Sequence, residues 1–147
     1  MRVILDASVL VGRIDARDVH HSTANAVCDL LEARAVELIY LDCVVIESIG
    51  VICRRRAERR TRHPLPDLAG LFTADRVTRA YPLLKDGWED ILNEVVLSDG
   101  KLNAHDGLLL AWARRAGSPI ATFDLGLRER GVAVLSSVSD VERALGG

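Results

Sequence analysis

The sequence predicts an α/β fold: a central parallel sheet covered by helices on both faces. The prediction rests on three features: the order of short apolar runs and helical segments, the composition of the core, and the placement of acidic residues at the ends of apolar runs. Runs that read as strands alternate with segments of helical spacing, the pattern of strand–helix–strand units. Hydrophobic residues make up 49% of the 147-residue chain and aromatic residues only 4%, so the core must be built from Leu, Val, Ile and Ala. That composition suits parallel strands buried on both faces.

The elements follow in order. Arg2 to Leu5 is an apolar run ending in Asp6 and reads as a buried strand. Ser22 to Ala35 has helical spacing through Ala26, Val27, Leu30 and Leu31, with Ser22 or Thr23 as a cap. Glu37 to Leu41 is a second strand. Asp42 to Arg60 reads as a long helix with Asp42 as N-cap and Val45, Ile46, Ile49 and Ile52 as its apolar stripe. His63-Pro64-Leu65-Pro66 ends it, because a residue before proline avoids helical angles. Pro66 to Phe72 is read as a short helix and Arg76 to Tyr81 as a strand. Lys85 to Leu97 is amphipathic, with Trp88, Ile91, Leu92 and Val95 on one side. Asn103 to Ala116 is a helix, and Gly117 stands where a C-terminal cap belongs. Pro119 to Phe123 is a strand ending at Asp124, Val132 to Leu135 another, and Val138 to Leu145 a closing helix. Right-handed crossovers then line the strand C-termini along one edge, where such sheets bind ligands.

Length and composition bound the function. Residues 1–147 fit one domain with a core that needs no disulfide. No apolar run approaches the roughly 18 residues of a membrane span, and Asp6 interrupts the first apolar run too early for a signal peptide. Cys28, Cys43 and Cys53 form no CxxC pair and read as small buried thiols of a cytoplasmic protein. The net charge of −2 gives no global basic field. Locally, however, Arg54, Arg55, Arg56, Arg59, Arg60 and Arg62 crowd the end of one helix.

The acids carry the chemistry. Asp6 and Asp124 each close an apolar run, so a parallel sheet brings them to one edge. Either is equally a turn residue or a helix N-cap when taken alone. Asp106, three residues after Asn103, also fits a capping box. Glu47 lies in the apolar stretch Val44-Val45-Ile46-Glu47-Ser48-Ile49, where a glutamate needs a partner or an outward-facing side. Carboxylates that converge raise one another's pKa. A divalent cation relieves that repulsion, and oxygen ligands without a Cys or His cluster favour Mg²⁺ or Mn²⁺. An ion so held can activate water against a phosphodiester.

These residues resemble the PIN-domain family, and most closely its VapC-type toxins. The resemblance runs through Val3-Ile4-Leu5-Asp6-Ala7-Ser8-Val9-Leu10, Asp18-Val19-His20-His21-Ser22-Thr23-Ala24, Val45-Ile46-Glu47-Ser48-Ile49, Asn103-Ala104-His105-Asp106-Gly107-Leu108-Leu109-Leu110-Ala111 and Ile120-Ala121-Thr122-Phe123-Asp124. It covers essentially the whole chain, with the acids in the family's order. It implies a three-layer α/β/α sandwich with a central parallel sheet and an endoribonuclease dependent on Mg²⁺ or Mn²⁺. In that reading Asp6, Glu47, Asp106 and Asp124 are the catalytic, metal-holding acids. Ser8 and Thr122 are supporting hydroxyls by their proximity to those acids. The family also implies a cognate antitoxin, a homodimer and an RNA substrate. One departure is Gly107, where the family often has Ala; in a helix, glycine costs about 0.5–1 kcal/mol relative to Ala.

The arginines, of which Arg54, Arg55, Arg59 and Arg60 are the candidates, read as an RNA- or partner-binding patch, or as a solvated helix end whose charge suits the dipole. His20 and His21 read as polar loop residues, and His105 as a possible neighbour of the site. Other functions compete. A housekeeping RNA-processing nuclease of the same fold, or a degenerate module that binds RNA or protein without cutting it, shares most of the pattern. A phosphoaspartyl phosphatase wants a second acid where Ser8 stands. A receiver domain wants a lysine closing a later strand, and neither Lys85 nor Lys101 does so.

Overall fold

β1 (Arg2–Leu5) is apolar after Arg2 because it is the middle of the sheet, and Val3, Ile4 and Leu5 are completely buried. The computed structural model describes residues 1–60, 72, 73 and 75–146. Along these the chain forms β1, α1 (Ala7–Ile14), α2 (His21–Ala33), β2 (Glu37–Leu41) and α3 (Asp42–Glu58). Next come β3 (Val77–Thr78), α4 (Pro82–Asp86), α5 (Trp88–Leu97) and α6 (Ala104–Ala116). β4 (Ile120–Ala121), a 3₁₀ turn (Leu125–Leu127), β5 (Val134–Leu135) and α7 (Val138–Gly146) complete it.

The five strands are all parallel, in the order β3-β2-β1-β4-β5. Ile4 is in register with Ile39 on one side and with Ile120 on the other. The helices fall into two groups: α1 packs on α2 and α3 with α7 against α2, and α6 packs on α4 and α5. This is the three-layer α/β/α sandwich expected, with the main hydrophobic cluster on the sheet. After β3 the chain crosses back past β1 to lay down β4. The order therefore reverses between β1 and β4, and a crevice opens at their carboxyl ends, where open parallel sheets place ligands.

Several expectations need correction. α1 has no counterpart in the sequence reading, which passed from Asp6 directly to the second helix. Ser22 and Thr23 do not cap α2: the helix begins at His21 and no side chain caps it. Asp42 is the first helical residue of α3 and not its N-cap. Its carboxylate accepts the Cys43 amide at 2.8 Å and the Ala80 amide at 2.9 Å, tying α3 to the chain after β3. The α3 stripe is rotated as well: Val45 and Ile52 are buried, but Ile46 is 60% exposed. The single amphipathic segment Lys85 to Leu97 is two helices broken at Gly87, and of its expected apolar side only Ile91 is fully buried. Trp88 and Leu92 are exposed because α6 approaches α5 only along the Ile91 side. The helix expected over Pro66 to Phe72 and the stop at His63 lie outside the described residues. No helix among the described residues is long and apolar enough to cross a membrane, and Cys28, Cys43 and Cys53 are free thiols.

Candidate active site

Asp6 ends β1 and caps α1, so its backbone belongs to the sheet and its carboxylate to the crevice. One oxygen accepts the Ala7 amide at 2.7 Å. The other accepts the Ser8 hydroxyl at 2.6 Å and the Thr122 hydroxyl at 2.7 Å, with the Ser8 amide at 3.4 Å. Each hydroxyl has one proton, and both protons go to Asp6. The Ser8 and Thr122 oxygens are then free to accept backbone amides, from Phe123 at 3.0 Å and Asp124 at 2.9 Å. The 3.3 Å approach of the two hydroxyl oxygens is accordingly a contact between two acceptors and adds no further bond. Ser8 and Thr122 thus lock the β1–α1 turn to the segment after β4, and hold Asp6 where a rotamer change would break several bonds.

Glu47 projects from the middle of α3 and is half-buried. Burial, together with the charge of Asp6, pushes its carboxyl above the ordinary carboxylate value. His105 works in the opposite direction, its Nδ1 lying 3.5 Å from the Glu47 carboxylate. Asp106 stands in the first turn of α6, where Asn103 is the N-cap. The Asn103 side chain accepts the amides of His105 and Asp106, and the Asp106 carboxylate accepts the Asn103 amide at 2.8 Å. The capping box expected from the sequence is therefore real, yet it does not exhaust the residue. Burial pushes the Asp106 carboxyl up to about 6, against the Asn103 hydrogen bond, and the charges of Asp6, Asp124 and Glu47 push the same way. Asp124 is exposed, and one of its oxygens accepts the Gly126 amide at 2.7 Å in the turn after β4.

Asp6, Glu47, Asp106 and Asp124 line one open cleft of about 450 Å³. A strand end, a helix middle, a helix start and a turn reach it from positions far apart in sequence. As the side chains stand, no group of three or more His, Cys, Asp or Glu among the described residues is gathered closely enough to hold an ion. The donor set is nonetheless of the right kind for a hard cation. It is all carboxylate oxygen, and although burial is the main cause that raises Asp106 and Glu47, the like charges around the cleft add to it, and a cation among them would relieve that part.

The arginines divide. Arg55 reaches the wall of the acid cleft, where it bonds Asp18 at short range and Asp15 at 3.2 Å. Arg59 bonds Asp15 at 2.8 and 2.9 Å. Both guanidiniums therefore tie α3 to the loop after α1. With Arg17 and Arg56 they border a second, smaller cavity of about 230 Å³. Arg54 and Arg60 line neither cavity. The cleft also takes in Asp18, His20 and Lys101, to which the sequence assigns no role in the site. Their signal was spatial, since nothing in a surface loop distinguishes a polar residue facing a site from one facing bulk water.

Fold and cleft together define a three-layer α/β/α protein with an acid-lined crevice at the sheet switch point. No family model matches the chain, and no curated protein matches it. Solved structures do. The crystal structure of FitAcB from Neisseria gonorrhoeae superposes with a TM-score of 0.59 at 20% identity, over 91% of this chain and 96% of that one. PAE2754 from Pyrobaculum aerophilum gives 0.62 at 19% identity, over 99% and 90%. FitAB bound to an IR36 DNA fragment gives 0.57 at 22%, over 90% and 93%. At such identities the likeness is one of fold.

Proposed function

We propose that the protein is a Mg²⁺- or Mn²⁺-dependent endoribonuclease, acting as the toxin of a toxin–antitoxin pair. The observation that carries this reading is the convergence of Asp6, Glu47, Asp106 and Asp124 on one cleft. The fold brings them to one cleft although burial, joined by their like charges, makes Asp106 and Glu47 harder to ionise. A purely structural role does not account for that arrangement, since a capping box and two turn caps need no common cleft. Asp6, Glu47, Asp106 and Asp124 are the residues that would hold the cation. When bound, it supplies an activated water and charge neutralisation for phosphodiester hydrolysis. The chain's own contribution is to fix Asp6 through Ser8 and Thr122, to hold Asp106 in the first turn of α6 through its capping box with Asn103, and to leave the cleft open to a polymer. The resemblance to VapC-type toxins adds an antitoxin partner and a homodimer. A fold neighbour that is FitAB bound to a DNA fragment accords with a partner that contacts DNA.

The test is a Mg²⁺ and Mn²⁺ titration of cleavage on a total-RNA pool with the cut ends mapped, alongside Asp6→Asn. Cleavage should require the ion, stop on adding EDTA and be abolished by the substitution. Cleavage indifferent to EDTA overturns the mechanism.

A further inference from the structure

His20 and Phe123 come from different segments, one from the loop before α2 and the other from the stretch between β4 and the 3₁₀ turn. Their rings lie face to face, centroids 4.4 Å apart and planes inclined by 15°. Phe123 is the half-buried member and covers one face of the imidazole, while His20 is exposed and lines the cleft that holds the acids. Neither imidazole nitrogen of His20 has a hydrogen-bond partner among the described residues, although the backbone of that residue is fixed at both ends. Its amide donates to Asp18 at 2.7 Å and its carbonyl accepts the Ala24 amide at 2.7 Å. Asp18 is itself held by Arg55. Phe123 is fixed through its amide, which donates to the same Ser8 hydroxyl that holds Asp6. The backbones that carry the two rings are therefore held, and Phe123 is joined to the acid network through Ser8.

We propose that the stacked rings of His20 and Phe123 form a shelf that takes an unpaired base of the RNA, seating the nucleotide in the cleft that the acids line. The inference rests on the ribonuclease reading for its ligand. A π-face accepts any base, so the shelf positions single strands without reading sequence, and it selects against duplex, whose bases are already stacked. His20 is exposed at the cleft and its ring nitrogens are unpaired among the described residues, so the contact with Phe123 leaves the imidazole available to a ligand there.

The experiment titrates the protein, with and without Mg²⁺, with a short single-stranded oligoribonucleotide carrying 2-aminopurine. Anisotropy reports binding and quenching reports stacking, while cleavage of the same oligonucleotide is followed in parallel. The wild-type protein should bind and quench. His20→Ala should weaken binding by roughly ten-fold and lose the quench, and His20→Phe, which keeps a flat ring, should retain both. Circular dichroism identifies any variant that has lost its fold. RNA that binds and is cut with His20→Ala indistinguishable from wild type eliminates the shelf and leaves the nuclease reading standing. Quenching that depends on His20 without cleavage leaves the shelf and overturns the nuclease. RNA that does not bind at all overturns both.

Discussion

The Asp106 carboxylate accepts the Asn103 amide while facing the charges of Asp6, Glu47 and Asp124 across the cleft. The hydrogen bond favours ionisation, and burial and the like charges oppose it more strongly. An unfolded chain ionises this group near the ordinary aspartate value of 3.8, whereas the folded chain holds the proton up to about 6. Between those values the folded state binds more protons than the unfolded state, so this contribution to stability falls as pH rises through about 6 and is restored as pH drops toward 4. Asp106→Asn keeps an acceptor for the Asn103 amide and removes the charge. In EDTA it should therefore be more stable than wild type at pH 8, by about 1–3 kcal/mol with solvent screening favouring the lower end, and should lose that advantage near pH 4. Thermal unfolding across this range reads the effect. A variant destabilised equally at both ends would show that the hydrogen bond outweighs the repulsion.

Among the elements, the contact between α5 and α6 decides the meaning of Gly107. By propensity alone, alanine should improve a helix interior by about 0.5–1 kcal/mol. In the fold, a Cβ at Gly107 lies 3.0 Å from the Ile91 carbonyl oxygen, 3.1 Å from Ile91 Cγ2 and 3.3 Å from Val95 Cγ2. The first of these is backbone, so relief requires the helices to move apart and not a mere change of rotamer. Gly107→Ala is expected to destabilise the protein by about 1–3 kcal/mol, the usual cost of overpacking, and so reverse the sign that propensity gives. Urea unfolding measures it; a stabilised variant would mean that α5 yields without loss. Because Asp106 precedes this residue, a shifted α6 should also move the acid. The tie from Arg55 and Arg59 to Asp15 and Asp18 works at the same scale, fixing the loop after α1 against α3 and with it the cleft wall that carries His20.

The whole molecule has a net charge of −2 and concentrates negative charge at the switch point of its sheet. A ligand that binds only the folded state raises stability by mass action, about 2.7 kcal/mol at a hundred times its dissociation constant. Mg²⁺ or Mn²⁺ should accordingly raise the melting temperature of the wild-type protein, and should do so much less for Asp6→Asn or Asp106→Asn. At pH 8 the ion should thus invert the order of wild type and Asp106→Asn found in EDTA. Equal shifts for all three proteins would place the ion elsewhere.

The sequence determined the layer architecture, because central parallel strands read as short apolar runs, and residues 3–5 and 38–41 are legible as such. It also determined the start and stop of α6, whose Asn103 cap, Asp106 partner and left-handed Gly117 are local chemistry. It marked the acids by type and position, but each admitted a local explanation, and for Asp106 that explanation is also true. It missed α1, whose first residues follow directly on a strand end, and it rotated the stripe of α3. Only the tertiary structure decided that Asp6 is bound by a hydroxyl from Thr122, that Arg55 and Arg59 are engaged with Asp15 and Asp18, that Gly107 is a close-approach residue and that His20 lies on Phe123. The physical reason is range. Caps, turns and apolar periodicity act over a few residues and leave a local trace, whereas a cleft is made by side chains brought together through the order of strands, which no single segment contains.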